Sequence, residues 1–164
     1  MNVHAWATIV ADSLDWEQAH ARFRDVVAGL PAELRGKRPE GLQHSAWELV
    51  EHIRISQHDL LEFCRKPDYR HDMAWPADYW PSSPVPPSEE AWMGSVEQVQ
   101  RDCAALAAFA RERATTLTET IPWGTGQTYL RTVLVALGHG SYHLGQLVAV
   151  RKLLGAWPPQ EGSG

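Results

Sequence analysis

Residues 138–147 read GHGSYHLGQL. They fall near the end of a segment, about Thr128 to Leu154, that reads as the last long helix, with Gly155 as its stop. His139 and His143 are four apart, so both imidazoles leave one face of a helix and together can grip one metal ion. With 8 His in 164 residues, such a pair arises by chance about 0.4 times. Its meaning therefore depends on a scaffold and a third ligand.

Upstream, three more helical patterns supply the scaffold. The first is expected from Asp12 or Ser13, either of which can cap a helix, to Leu30 before Pro31, with Trp16, Ala19, Phe23, Val26, Val27 and Leu30 inward. The second begins at Ser45, where Ser45 and Glu48 have capping-box spacing, and carries Leu49, Val50, Ile53, Leu60 and Phe63 until Pro67 forbids further helix. Glu51, Arg54, His58, Glu62 and Arg65 form its polar face. The third opens at Ser88, with Glu89 and Glu90 following, and turns Trp92, Val96, Val99, Cys103, Leu106 and Ala110 inward to about Thr115. No useful period-2 alternation occurs, so the expected fold is all-α, a four-helix bundle.

Composition agrees with a single soluble domain over residues 1–164, with 155–164 expected to fray: 44% of residues are hydrophobic and 21% charged. The net charge of −5 and the scatter of Lys and Arg argue against a nucleic-acid partner. No cationic leader precedes a hydrophobic run, and no stretch suggests a bilayer span, so no membrane partner and a cytoplasmic location are expected. Cys64 and Cys103 lie apart within helical patterns and read as small buried hydrophobes rather than a disulfide or thiolate site.

Between the second and third helices, the segment Pro67–Pro87 holds six of the 11 prolines together with Trp75, Tyr79 and Trp80. Three large rings have surface to bury, which suggests an ordered cover over one end of the bundle. A plain crossover packed for stability accounts for it equally well.

The third ligand is sought on inward faces. His52 lies beside Leu49, Ile53 and Ser56 on the second helix, where an unpartnered imidazole would leave buried nitrogens unsatisfied. His58 is rotated by roughly −120° from it and should be solvated. His20 reads as a histidine at the rim of the core, with a fourth-ligand role as the alternative, whereas His4, His44 and His71 carry no spacing signal. Packing histidines without metal remain open at this point.

The segments HSAWELVEHI (44–53) and GHGSYHLGQL (138–147), with the Pro- and Trp-rich stretch DYWPSSPVPPSEEAW (78–92) between them, resemble the DinB-like (DinB/YfiT) metal-binding four-helix bundles. Carried over residue by residue, that resemblance places a metal triad on His52, His139 and His143, and nothing in the sequence departs from the pattern. It also implies helix connections unlike a simple up-down-up-down order and a homodimer. As a leading reaction class it implies S-transfer or isomerisation using a low-molecular-weight thiol.

Three imidazoles favour zinc, nickel, copper or ferrous iron over hard cations, with zinc or nickel expected. Glu48, one turn before His52, is the candidate catalytic base, in competition with its capping role; Asp59, two turns after it, is a second nearby carboxylate. Residue 140 is Gly where the zinc-protease motif needs Glu, and no pair of Glu-x-x-His motifs is present for a di-iron site. Gln146 can serve the site or helix packing. Two function classes follow: a metal-dependent transferase or hydrolase acting on a small thiol or other small molecule, and a non-catalytic, metal-braced bundle acting as a stress-related binding or interaction protein.

Overall fold

A computed structural model describes residues 3–15 and 20–159. Five helices are present: α1 (Val3–Ser13), α2 (Phe23–Val27), α3 (Ala46–Arg65), α4 (Glu89–Glu112) and α5 (Tyr129–Leu153), with no strand among the described residues. Each long helix from α3 onward begins at a side-chain cap. Ser45 and Glu48 form a reciprocal capping box, Ser88 accepts from the Ala91 amide, and Thr128 from the Arg131 amide. Lys66 leaves α3 in an extended conformation ahead of Pro67, and Gly155 closes α5 at φ 70°.

The expected first helix is corrected. Asp12 and Ser13 belong to the last turn of α1, where the Ser13 hydroxyl donates to the Ile9 carbonyl one turn back and Asp12 meets Arg111. A short polar residue back-bonding at a helix end resembles a cap in sequence alone. Arg22 is extended (φ −69°, ψ 153°), so no continuous helix reaches Phe23. The inward positions Trp16 and Ala19 lie outside the described residues. The bundle is instead α1, α3, α4 and α5, with α2 as a short link whose Val26 and Val27 are buried.

Two apolar clusters fix the topology. One gathers Leu49 and Val50 from α3, Trp92 and Val96 from α4, and Leu144, Leu147 and Val150 from α5. The other gathers Leu61 and Cys64, Leu106 and Phe109, and Tyr129 and Val133 from the same three helices, with Ala11 of α1. Helices α3 and α4 therefore run parallel and α5 runs against both. The parallel pair explains the long connection: residues 66–88 must return along a helix about 30 Å long. His52 on α3 and His139 on α5 fall between the two clusters.

The expected polar face of α3 is also corrected in part. Glu51 is buried against α4, where the Ser95 hydroxyl and the Arg54 guanidinium donate to its carboxylate. His58, half-exposed, meets the buried carboxylate of Asp102. Charges survive burial when each is paired and hydrogen-bonded, and pairs contributed by different helices leave no local sequence signal.

By length and composition alone α5 is long and apolar enough to cross a membrane, a test that the core helix of a bundle also passes. In the fold it packs lengthwise on α3 and buries Thr132, His143 and Arg151. At the start of the tail, the Ala156 amide returns to the Arg151 carbonyl, and Trp157 packs on the first cluster. Cys64 and Cys103 are free thiols, each pushed up to about 11 by burial, as suits structural rather than reactive cysteines.

Candidate metal centre

His52, His139 and His143 are brought together by the antiparallel pairing of α3 and α5. One ring nitrogen from each lies within 4.8 Å of the others, and the Nε2 atoms of His52 and His139 are 3.0 Å apart. The side chains of His52 and His143 are buried and that of His139 is half-buried.

The outer nitrogens decide what the inner ones can do. Nδ1–H of His52 donates to the Tyr79 main-chain carbonyl at 2.8 Å, and Nδ1–H of His143 donates to the Gln146 amide oxygen at 2.8 Å. In those tautomers Nε2 carries the free lone pair, and an outer hydrogen bond of this kind is what fixes the tautomer of an imidazole that ligates a metal. The donor set thus fits a divalent transition metal. Gln146 acts in the site rather than only in helix packing.

Burial, the dominant cause, lowers the pKa of all three rings. His139 and His143 are pushed down to about 4, with the neighbouring imidazoles lowering both further and the Gln146 hydrogen bond opposing this at His143. All three are neutral at pH 7, the form a metal needs. In the metal-free protein the unfolded chain takes up protons near the ordinary histidine value of about 6.5, before the folded chain does. Stability is therefore expected to be complete above about pH 6.5 and to be lost as pH falls toward 4. Urea midpoints of chelator-stripped protein between pH 7.5 and 4.5 read this out, and a flat profile in wild type and in a His139→Gln, His143→Gln variant alike would refute it.

An aromatic stack braces the α3 ligand. The Trp80 indole lies on the His52 ring at 3.8 Å and 2°, and His44 lies on Trp80 at 3.9 Å and 11°. Both centroids are too close to share one face, so Trp80 is sandwiched between the two imidazoles. Sequence spacing gave no signal for His44. Of the three rings in the connection, Tyr79 is buried and Trp80 partly so, whereas Trp75 is 66% exposed, with its ring 6.3 Å from that of His52. A cavity of about 460 Å³ opens beside the cluster, lined by His44, Leu49, Trp80, Tyr142, His143 and Gln146 among others.

Other residues singled out from sequence are placed elsewhere. Glu48 holds the Ser45 amide at 2.8 Å and Arg38 Nε at 2.8 Å through the same carboxylate. Burial pushes that carboxyl up, but the Arg38 and Ser45 hydrogen bonds prevail and hold it below the ordinary range. Its lone pairs are committed to the cap and the ion pair. His20 bonds the Ala21 carbonyl and, through Nε2, the Ser141 hydroxyl at 3.0 Å, so it lies outside the cluster. Asp59 receives the hydroxyls of Tyr69 and Tyr79.

Fold and site together define a class: an all-helical bundle whose paired helices present three neutral imidazoles in a geometry suited to one metal ion. Residues 15–147 match the family model of the DinB superfamily, and the chain belongs to that superfamily. Comparison with curated proteins and with solved structures gives no match.

Proposed function

We propose that the protein is a metal-dependent enzyme of thiol S-transferase or hydrolase type, holding one zinc or nickel ion on His52, His139 and His143. The observation that carries this reading is the convergence of the three rings, two of them with Nδ1 already engaged, on a point beside a cavity large enough for a small molecule. Three protein ligands leave a coordination position for substrate, whereas a closed structural site takes four. Bound there, the ion supplies Lewis acidity and lowers the pKa of a coordinated water or thiol.

The chain's own residues do the rest. Tyr79 and Gln146 fix ring orientation, Trp80 closes one side of His52, and Leu49, Ala149 and Val150 give the cavity an apolar wall against which a small molecule can pack. Because Glu48 is committed to Arg38 and Ser45, this reading assigns it to the cap, and a thiol whose pKa a bound ion would lower gives its proton to solvent water. We place the protein in the cytoplasm as a homodimer, with exposed Leu134, Val135 and Tyr142 of α5 available for pairing.

Cobalt-loaded protein titrated with a low-molecular-weight thiol tests the open position. The expected result is a new near-ultraviolet sulfur-to-cobalt band, a shift of the visible bands, and turnover with an electrophile in the same panel. An unchanged spectrum at saturating thiol, without turnover, would leave the metal as a brace.

A further inference from the structure

Residues 66–88 have slack to spare. Extended, they could reach about 75 Å, against the roughly 30 Å that the crossover requires. The slack is gathered in and tied to α3. The Tyr79 side chain, 4% exposed, donates its hydroxyl to Asp59 at 2.7 Å, and the Tyr69 hydroxyl donates to the other oxygen of the same carboxylate. The main chain at Tyr79 ends a single 3-10 turn, Ala77–Tyr79. Its carbonyl accepts from His52 Nδ1, and the next side chain, Trp80, lies flat on the His52 ring. The Tyr79 carbonyl lies at the end of one isolated turn, with no continuing helix to orient it, so what anchors the Tyr79 side chain also aims its main chain.

We propose that Asp59 and Tyr79 are positioning residues for the metal centre: the Asp59 carboxylate, through the Tyr79 hydroxyl and main chain, holds His52 in the tautomer and orientation that present Nε2 to the ion. The proposal rests on the metal-binding reading above. It gives the Pro- and Trp-rich connection a task beyond crossing the bundle, because its middle becomes the outer half of the α3 ligand. Neither residue touches the ion. Their effect is on ligand orientation, and outer partners of metal-bound histidines change metal affinity by about 10–100-fold when removed.

The test is competition of cobalt(II) against a chromophoric chelator, with the visible spectrum recorded for wild type, Tyr79→Phe, Asp59→Ala and Asp59→Asn. Tyr79→Phe and Asp59→Ala keep the carbonyl that bonds His52 and remove only its anchor, so each is expected to weaken binding by about 10-fold, the low end of the effect of losing an outer partner, and to shift the cobalt bands. Asp59→Asn, which keeps one acceptor oxygen, should recover part of the loss. The double variant should bind no more weakly than the worse single one, since both residues act along one chain of contacts. Leu106→Ala, which opens a cavity in the second apolar cluster, serves as a control for lost stability and should keep the wild-type spectrum. Wild-type affinity and spectrum in Tyr79→Phe and Asp59→Ala would overturn the proposal, as would an equal loss in Leu106→Ala. If wild type binds one ion and His139→Ala does not, such a failure falls on the positioning role alone; if wild type binds none, the metal reading falls with it.

Discussion

Replacing His139 with alanine is expected to reduce metal content from about one ion per chain to below about 0.1, measured by elemental analysis of untagged protein purified without chelator. The substitution removes one of three converging nitrogens and leaves two, of which His52 comes from a different helix. Two imidazoles cannot close a site that already keeps a position open, so the lost ligand is replaced only by solvent. His139 is also the least buried of the three. Its removal should therefore leave the metal-free fold near its original melting temperature, separating a ligand effect from unfolding. Full metal retention in this variant, with His52 and His143 intact, would exclude the triad as the binding site.

The parts of this structure that were legible from sequence share one property: their cause is local. Ser45, Ser88 and Thr128 mark helix starts because a side-chain oxygen satisfies an amide three residues away, and Pro67 and Gly155 mark ends for equally local reasons. His139 and His143 share a face through helical geometry alone, and His52 stands out as a polar residue on an apolar stripe. The first helix misled because Asp12 and Ser13 are as acceptable in the last turn of α1 as at the start of a helix. The narrow contact surface of Ala7 and Ala11, both buried, gives α1 little hydrophobic contrast to outweigh that signal.

What escaped the sequence depends on partners far along the chain. Glu51 reads as solvated until Ser95 is brought against it, and Trp75 reads as buried until the path of the connection leaves it outside. The Tyr79 carbonyl is a main-chain atom, so no residue type announces its bond to His52. Residue identity selected the three candidate ligands, whereas the Tyr79 carbonyl and the Trp80 ring that contact one of them come from the path of the backbone. The same division is seen at Glu48. Its spacing from Ser45 fits a cap and its position before His52 fits a base, and only the placement of Arg38, ten residues earlier in the chain, commits the carboxylate.

Arg151 makes another long-range contact of this kind, and its replacement by methionine is expected to cost about 2–4 kcal/mol of stability while leaving metal content unchanged. A basic residue in the last turn of a helix ordinarily faces solvent, but Arg151 is 1% exposed, and among the described residues no carboxylate pairs with it. Its guanidinium instead serves main-chain acceptors. Nη1 donates to the Ala28 carbonyl at 2.8 Å and to that of Val26, Nε donates to Ala156 at 2.8 Å, and the group lies over the Trp157 ring. The carbonyls of Val26 and Ala28 lie at the end of α2, where no further helical turn satisfies them. Methionine keeps the bulk of the stem but strands three acceptors. Each charge-assisted bond contributes about 1.5–3 kcal/mol, and relief from burying an unpaired cation offsets part of the sum. Burial already lowers the pKa of this guanidinium, a sign of the same opposing cost. For a chain of this length the net loss corresponds to a melting temperature lower by roughly 10 °C. Arg151→Lys should recover less than half of it, because one ammonium cannot span acceptors on α2 and on the segment after α5 together. A methionine variant melting within error of wild type would show that these carbonyls find water instead, and that Arg151 does not tie α2 to the end of the chain.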